Sequence, residues 1–375
     1  MKYTIKKACF ACTTPYHVIG AISIVKSEHL QADIYIFGTF PDHDLLSARL
    51  RELNIFQNVY AVDSEKINLL GKGQASVEIQ TQALFQVAFP QIYVREFLRD
   101  DTAYETFYSS SRAHTKLLLQ RVLKKRNPEM KTVIYDDGLG SYLEDSHVLR
   151  PSKMRRCAEK ILGWNLFDPK TVSIQLYLPE IAHIPQELKD CQLREMARLD
   201  WQAPENKVIL KRLFGISETE KYRERVILFD NVRGATSRRE MFEKVDRCYQ
   251  TILDVVGEKN VLFKAHPRSY EKPSLMLHCI EKQATSMAVF YADMEDLESR
   301  VLIAYNSTAT YTPKLLFGKE PWVINLHRIV GPPLQKNSEI LYQTFLPTYQ
   351  NKEKLLAPND MDELKKMLAY ALERN

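Results

Sequence analysis

The run Val261-Leu262-Phe263 leads through Lys264 and Ala265 into His266-Pro267-Arg268, and the same arrangement, a short apolar run closed by a polar turn, recurs elsewhere. Thr132 to Tyr135 precede Asp136-Asp137-Gly138, and Val301 to Tyr305 precede Asn306-Ser307-Thr308. Short apolar runs bounded by turn residues read as strands buried on both faces. When such strands end in acid, base and hydroxyl groups, they imply an α/β chain whose site lies at the carboxyl edge of its sheets.

At 375 residues the chain exceeds the length at which single cores usually stop growing, so two domains are expected. Its 45% hydrophobic and 26% charged residues are those of an ordinary soluble protein. Lys and Arg exceed Asp and Glu by 52 to 47, and the resulting +5 is too small and too scattered for a nucleic-acid partner. It supports only a mild attraction to anionic surfaces or acidic ligands. No apolar stretch approaches the ~18 to 20 residues that span a bilayer. The start, Met1 to Lys7, leads into strand-like sequence instead of a signal peptide. A cytoplasmic protein is expected, with at most peripheral contact at the inner face of the cell membrane. The six cysteines are too few and too dispersed for a disulfide framework. Cys9 and Cys12 have redox-motif spacing but fall in a strand, whereas a reactive pair sits at a helix start, so they read as buried thiols. No second ligand pair stands at zinc spacing, and neither a metal nor a cofactor is expected.

Strand and helix patterns alternate from Lys7 to Tyr135: strands at Lys7 to Thr13, Asp33 to Phe37, Val59 to Val62, Glu105 to Ser109 and Thr132 to Tyr135, with helices between them. Such alternation with short connections predicts a parallel sheet covered by helices. Periodicity weakens from Arg150 to Arg225, where prolines punctuate a connecting region. The pattern restarts with strands at Arg225 to Phe229, Asn260 to Lys264, Val301 to Tyr305 and Trp322 to Leu326. Ala288 to Tyr291 reads as a further strand, and Pro273 to Gln283 and Thr310 to Phe317 read as helices. The expected organisation is α/β: a Rossmann-like domain over residues 1–205 that includes the connecting region, a second over 206–355, and a closing helix in 356–375 that could pack back on the first. A cleft between the two domains is expected to hold the site.

Proline fixes its own backbone and pushes the preceding residue toward extended conformations, so His266 should hold one orientation at its strand end. An imidazole there can protonate or hydrogen-bond a departing phosphate oxygen, and Lys264 and Arg268 supply the cations an anionic leaving group needs. Asp136-Asp137-Gly138 puts two carboxylates on a glycine turn. One could take a proton from a hydroxyl while the other orients the loop; the pair could also hold a divalent cation, or merely turn the chain. Asn306, Ser307 and Thr308 precede a helix and serve either as caps or as an anion site. Thr13, Thr14, Tyr16 and His17 follow the first strand, where Thr14 caps the helix begun by Pro15 or meets substrate. Asp230 closes the first strand of the second half and is a second candidate base.

The windows Cys12-Thr13-Thr14-Pro15-Tyr16-His17, Tyr135-Asp136-Asp137-Gly138-Leu139-Gly140 and Ala265-His266-Pro267-Arg268, in this order, resemble the bacterial sialyltransferases of glycosyltransferase family 52. The resemblance implies a GT-B fold and an inverting, metal-independent transfer of sialic acid from CMP-sialic acid to a galactose-type hydroxyl of a surface glycan, either lipooligosaccharide or capsule. By carry-over, His266 would serve the departing phosphate, and Lys264, Pro267, Arg268, Asn306, Ser307 and Thr308 would line the donor side. Thr13, Thr14, Tyr16, His17, Asp136 and Gly138 would line the acceptor side. The base would be Asp137 or Asp230; the segment Asp230-Asn231-Val232-Arg233-Gly234 departs from the family pattern, which favours Asp137. A homodimer is compatible with this reading. Competing readings are a GT-B transferase using CMP-Kdo or a UDP-sugar, a cytidylyl-lipid or glycerophosphate transferase, and a non-catalytic nucleotide-binding protein.

Overall fold

A computed structural model of the chain describes residues 7–40, 42–63, 85–86, 88–95, 97–98, 103–111, 113–143, 172–216, 222–231, 239–266, 278–279, 286–305, 307–332 and 335–374. The chain divides into two compact units, Met1–Leu199 and Asp200–Asn375. The first contains β1 (Lys7–Cys12), α1 (Pro15–Glu28), β2 (Gln31–Phe37), α2 (His43–Glu52), β3 (Asn58–Val62), α3 (Pro90–Val94), β4 (Thr106–Ser109), α4 (His114–Arg126), β5 (Lys131–Tyr135), β6 (Val172–Leu176) and β7 (Gln192–Glu195). Its strands form a parallel sheet in the order β3-β2-β1-β4-β5-β6-β7.

Both faces of this sheet are covered, which is why its central strands are apolar throughout rather than alternating. On one face Cys9, Ala11, Tyr35 and Phe37 pack with Leu118, Leu119 and Leu123 of α4. On the other, Phe10 stacks on Tyr108 with ring centroids 4.3 Å apart. The order reverses between β1 and β4, the topological switch point outside which doubly wound sheets place their ligands.

The second unit contains α5 (Pro204–Phe214), β8 (Val226–Phe229), α6 (Arg239–Val256), β9 (Val261–Lys264), β10 (His278–Cys279), α7 (Met287–Asp293), β11 (Val301–Ala304), β12 (Trp322–Asn325), α8 (His327–Val330), α9 (Gln335–Phe345), β13 (Leu355–Leu356) and α10 (Met361–Glu373). Its parallel sheet runs β10-β9-β8-β11-β12-β13 and reverses between β8 and β11. Two successive parallel α/β units make up the chain, so the α/β class with two parallel-sheet domains read from the sequence is the one observed. Among the described residues no helix is long and apolar enough to cross a membrane.

Several elements differ from expectation. The connecting region holds short strands, as its composition implied, but β6 and β7 are built into the first sheet as its edge, and the division between units falls at Leu199 rather than residue 205. Ala288 to Tyr291 form part of α7: Ser286 accepts the Ala288 N–H as an N-cap, and a short apolar run carries no period that separates strand from buried helix. Where a helix was expected over Pro273 to Gln283, His278–Cys279 pairs with β9, and the remainder lies outside the described residues. The closing helix is built into the core of its own unit: Leu364, Leu368 and Ala371 pack with Val245, Cys248 and Ile252 of α6 and with the sheet. Asp360 caps it, accepting the N–H groups of Asp362 and Glu363.

That packing makes a prediction. Leu368 is fully buried, so Leu368→Ala should lower unfolding stability by about 2–5 kcal/mol, measured by denaturant titration of the full chain. An unchanged midpoint would mean that the helix is not part of the core.

Candidate functional site

At the switch point of the first sheet, the residues after β1, β4 and β5 come together. Thr14 is the N-cap of α1, its hydroxyl accepting the His17 N–H at 3.3 Å, and Pro15 begins the helix. Thr14 therefore acts as the cap that the sequence allowed. The capped turn directs His17 back toward the sheet edge. Gly20, one turn on, lets α1 lie close against the sheet: a Cβ there would stand 3.2 Å from Met196 and 3.3 Å from the Tyr135 ring. The Tyr135 hydroxyl donates to the His17 carbonyl at 3.1 Å, fixing the start of α1 to the end of β5.

The two aspartates of the Asp-Asp-Gly turn have different environments. Asp136 is 1% exposed, and its oxygens are taken by four donors. Oδ1 accepts from the Tyr16 hydroxyl at 3.0 Å and the Gly138 N–H at 2.7 Å. Oδ2 accepts from the Tyr142 hydroxyl and from the Tyr177 N–H, the latter at 3.2 Å. Burial pushes its carboxyl up to about 6, while these hydrogen bonds hold it down. Asp136 therefore remains ionised at neutral pH, yet its lone pairs are committed, which removes the two-carboxylate clamp from the readings left open by the sequence. Gly138, at φ 86°, is the residue type that turn requires.

Asp137 instead keeps a side chain 21% exposed, and its Oδ1 lies 2.6 Å from His17 Nε2. The other imidazole nitrogen, Nδ1, faces the Thr13 N–H at 3.2 Å and the Thr13 hydroxyl at 3.1 Å. A backbone N–H can only donate, so Nδ1 carries the lone pair and the proton resides on Nε2, donated to Asp137. Burial, then the nearby charge of Lys116, keep the His17 pKa below its ordinary value, with Asp137 opposing. His17 is thus a neutral donor that orients a carboxylate. The Ser141 hydroxyl accepts the Asp137 N–H at 2.8 Å and steadies the turn.

Lys116, absent from the sequence reading, belongs to this cluster. It is 1% exposed in the first turn of α4 and donates to the hydroxyls of Ser110 at 2.7 Å and Ser111 at 3.0 Å. Burial lowers its pKa to about 8, against the pull of Asp137 and Cys12. The signal that could have found it is Ser109-Ser110-Ser111 after an apolar strand, the same run-then-polar-turn arrangement used for the other loops. Cys9 and Cys12 are buried thiols that form no disulfide. Burial pushes the Cys12 thiol up to about 11, which makes it a poor nucleophile.

In the second unit, β9, β8 and β11 are neighbours, and their carboxyl ends carry His266, Asp230 and Ser307. Asp230 is 3% exposed, accepts from the Tyr249 hydroxyl at 3.2 Å, and donates its N–H to the Lys264 carbonyl at 3.0 Å. Lys264 is itself buried, which lowers its pKa to about 8. His266 is half-buried two residues beyond β9; Pro267, Arg268 and Asn306 lie outside the described residues. The regular helix expected after Thr308 is replaced by a 3-10 turn, Thr308–Thr310, and a short π turn, Pro313–Phe317. So short a turn has no row of aligned peptide dipoles, and the helix-terminus argument for an anion site does not apply. Ser307 caps the turn, accepting the Ala309 N–H at 3.3 Å, and Thr308 is exposed. Among the described residues no three His, Cys, Asp or Glu side chains converge as a metal site would require.

No protein-family model matches the chain, and a search of curated proteins finds no match. Solved structures similar to it include an OtsA apo structure, at 7% identity and a TM-score of 0.43, covering 99% of this chain and 96% of that one. A UDP-forming alpha,alpha-trehalose-phosphate synthase from Burkholderia vietnamiensis gives 8% identity and a TM-score of 0.39, with 99% and 100% covered. TcCGT1 in complex with UDP gives 9% and 0.45, with 98% and 94% covered. At these values the likeness assigns neither an activity nor a residue to this chain.

The contrast between the aspartates predicts opposite outcomes for the same change. In Asp136→Asn, the amide nitrogen must face either the Gly138 or the Tyr177 N–H, leaving donor against donor. Stability at pH 7 should fall by about 1–3 kcal/mol, whereas Asp137→Asn keeps an oxygen for His17 and should leave the unfolding midpoint nearly unchanged. The folded-state pKa of Asp136, about 6, lies above its ordinary 3.8. The wild-type chain therefore gains stability from this group as pH falls through that window, and the Asn variant does not. The difference between them should widen on the acid side; a pH-independent gap would contradict the buried ionised carboxylate.

Proposed function

We propose that the chain is an inverting glycosyltransferase that moves sialic acid from CMP-sialic acid to a galactose-type hydroxyl of a surface glycan. The observation that carries the reading is the Asp137 carboxylate, partly exposed at a switch point and oriented by a neutral His17 at 2.6 Å. A hydroxyl approaching that edge would give its proton to Asp137, and its oxygen would attack the anomeric carbon of the donor. The bond from that carbon to the phosphate oxygen would break, with the electron pair leaving on CMP and His266 supplying a proton or hydrogen bond to the departing phosphate. Single displacement inverts the anomeric centre. Ser307 and Thr308 offer hydroxyls for the phosphate or the sugar carboxylate. Asp230 is the weaker candidate base because it is buried and bonded to Tyr249.

The test is incubation with CMP-sialic acid and lactose beside a panel of CMP-Kdo and UDP-sugars, with and without EDTA. Sialyl transfer that survives the chelator is expected. Transfer only from another donor, donor binding without turnover, or loss with EDTA and rescue by magnesium would each overturn a stated part of the reading.

Single variants separate the roles. His266→Ala should reduce turnover about 100-fold or more with the fold intact; normal turnover with a lowered melting temperature would make His266 a loop residue. Asp137→Asn should abolish transfer while CMP binding persists, and Asp230→Asn should do less. The reverse order of damage would move the base to Asp230.

A further inference from the structure

We infer that Lys116 is a positioning residue of the first-unit site, a buried cation that adds to the burial of His17 in favouring its neutral form, so that Asp137 receives a hydrogen bond from it rather than an ion-pair partner. The functional consequence rests on Asp137 acting as base; the electrostatic claim does not.

Three observations carry it. First, β4 lies between β1 and β5, and the Lys116 ammonium is bonded to Ser110 and Ser111, the residues that follow β4, so it belongs to the loop flanked by the strand ends that lead to His17 and to Asp137. Second, the hydrogen-bond partners of its ammonium are the neutral hydroxyls of Ser110 and Ser111, with no carboxylate within ion-pair distance among the described residues. A buried ammonium held by hydroxyls alone is costly to keep, and an apolar residue would fill the same space more cheaply. Third, its charge acts on the groups around it in a consistent sense. It disfavours the imidazolium of His17 and is itself favoured by Asp137.

The alternative protonation state shows why this matters. If His17 took a second proton, it would have to give up the Thr13 N–H at Nδ1, and a charged imidazolium would lie 2.6 Å from the carboxylate. That pair would hold Asp137 against accepting a proton from anything else. The titratable groups around His17 are Asp137 on the turn after β5, Tyr135 on β5 with its ring centroid 6.4 Å away, Cys12, which is hydrogen-bonded to Tyr135, and Lys116, whose charge acts on it from α4. Tyr135 and Cys12 are neutral near pH 7, their pKa values raised by burial. Asp137 draws a proton toward His17; burial first, and Lys116 after it, oppose that.

The experiment follows imidazole nitrogen shifts by NMR in the full-length chain labelled at histidine, for wild type and Lys116→Met, with His17 assigned by His17→Asn. Removing the cation should move the His17 titration midpoint up, since a neighbouring positive charge disfavours the imidazolium. The acid limb of the transfer pH profile should rise with it, an effect that lost packing alone does not produce. If Lys116→Met does not fold, the reciprocal measurement replaces it: Lys116 Nζ titrated in wild type and in Asp137→Asn, where loss of the carboxylate charge should lower the lysine midpoint. A His17 midpoint unmoved in Lys116→Met, or a Lys116 midpoint unmoved in Asp137→Asn, overturns the inference. Absence of transfer in the wild type would refute the glycosyltransferase reading alone, because the titrations are read without substrate.

Discussion

The carboxylate of Asp136 holds the first-unit site together. It joins Tyr16 of α1, Gly138 of its own turn, Tyr142 beyond that turn and the backbone of Tyr177 after β6. Segments distant in sequence meet at one buried charge, and the charge tolerates burial because each oxygen is matched by donors. A carboxylate in this position cannot also do chemistry. Its commitment leaves the adjacent aspartate free to face outward.

Asp137 is shaped by the opposite arrangement. One oxygen accepts from His17, and part of the side chain remains accessible. The imidazole is oriented in turn by Thr13, so the chain runs from backbone to imidazole to carboxylate. The familiar order, in which a carboxylate orients a histidine that acts as base, is reversed here, because Nδ1 is occupied by a donor that cannot withdraw. The acid pair therefore divides into a structural member and a chemical member by burial and hydrogen bonding alone.

The sequence made the central strands legible because both faces of each sheet are covered and the strands are apolar without interruption. It concealed β7, whose residues Gln192–Glu195 are all exposed at the sheet edge and carry no burial signal. It misassigned α7 because Met287 to Ala292 are buried together and show neither period. The loops after β1, β5, β9 and β11 stood out as polar turns closing apolar runs. The division between Asp136 and Asp137 did not, since two adjacent carboxyls are chemically identical until the fold surrounds one of them. Lys116 was hidden for a related reason: a lysine before Leu117-Leu118-Leu119 reads as the solvated start of a helix, and its burial comes from where β4 lies in the sheet.

The orientation of Asp137 depends on the tautomer of His17. Nitrogen NMR at pH 7 on histidine-labelled protein reads it directly, through the separate shifts of the two ring nitrogens. A bare, accepting Nδ1 and a protonated Nε2 are the predicted result. A proton on Nδ1, whether as the other tautomer or as the imidazolium, would contradict the hydrogen bond from Thr13 and the orientation of Asp137 built on it.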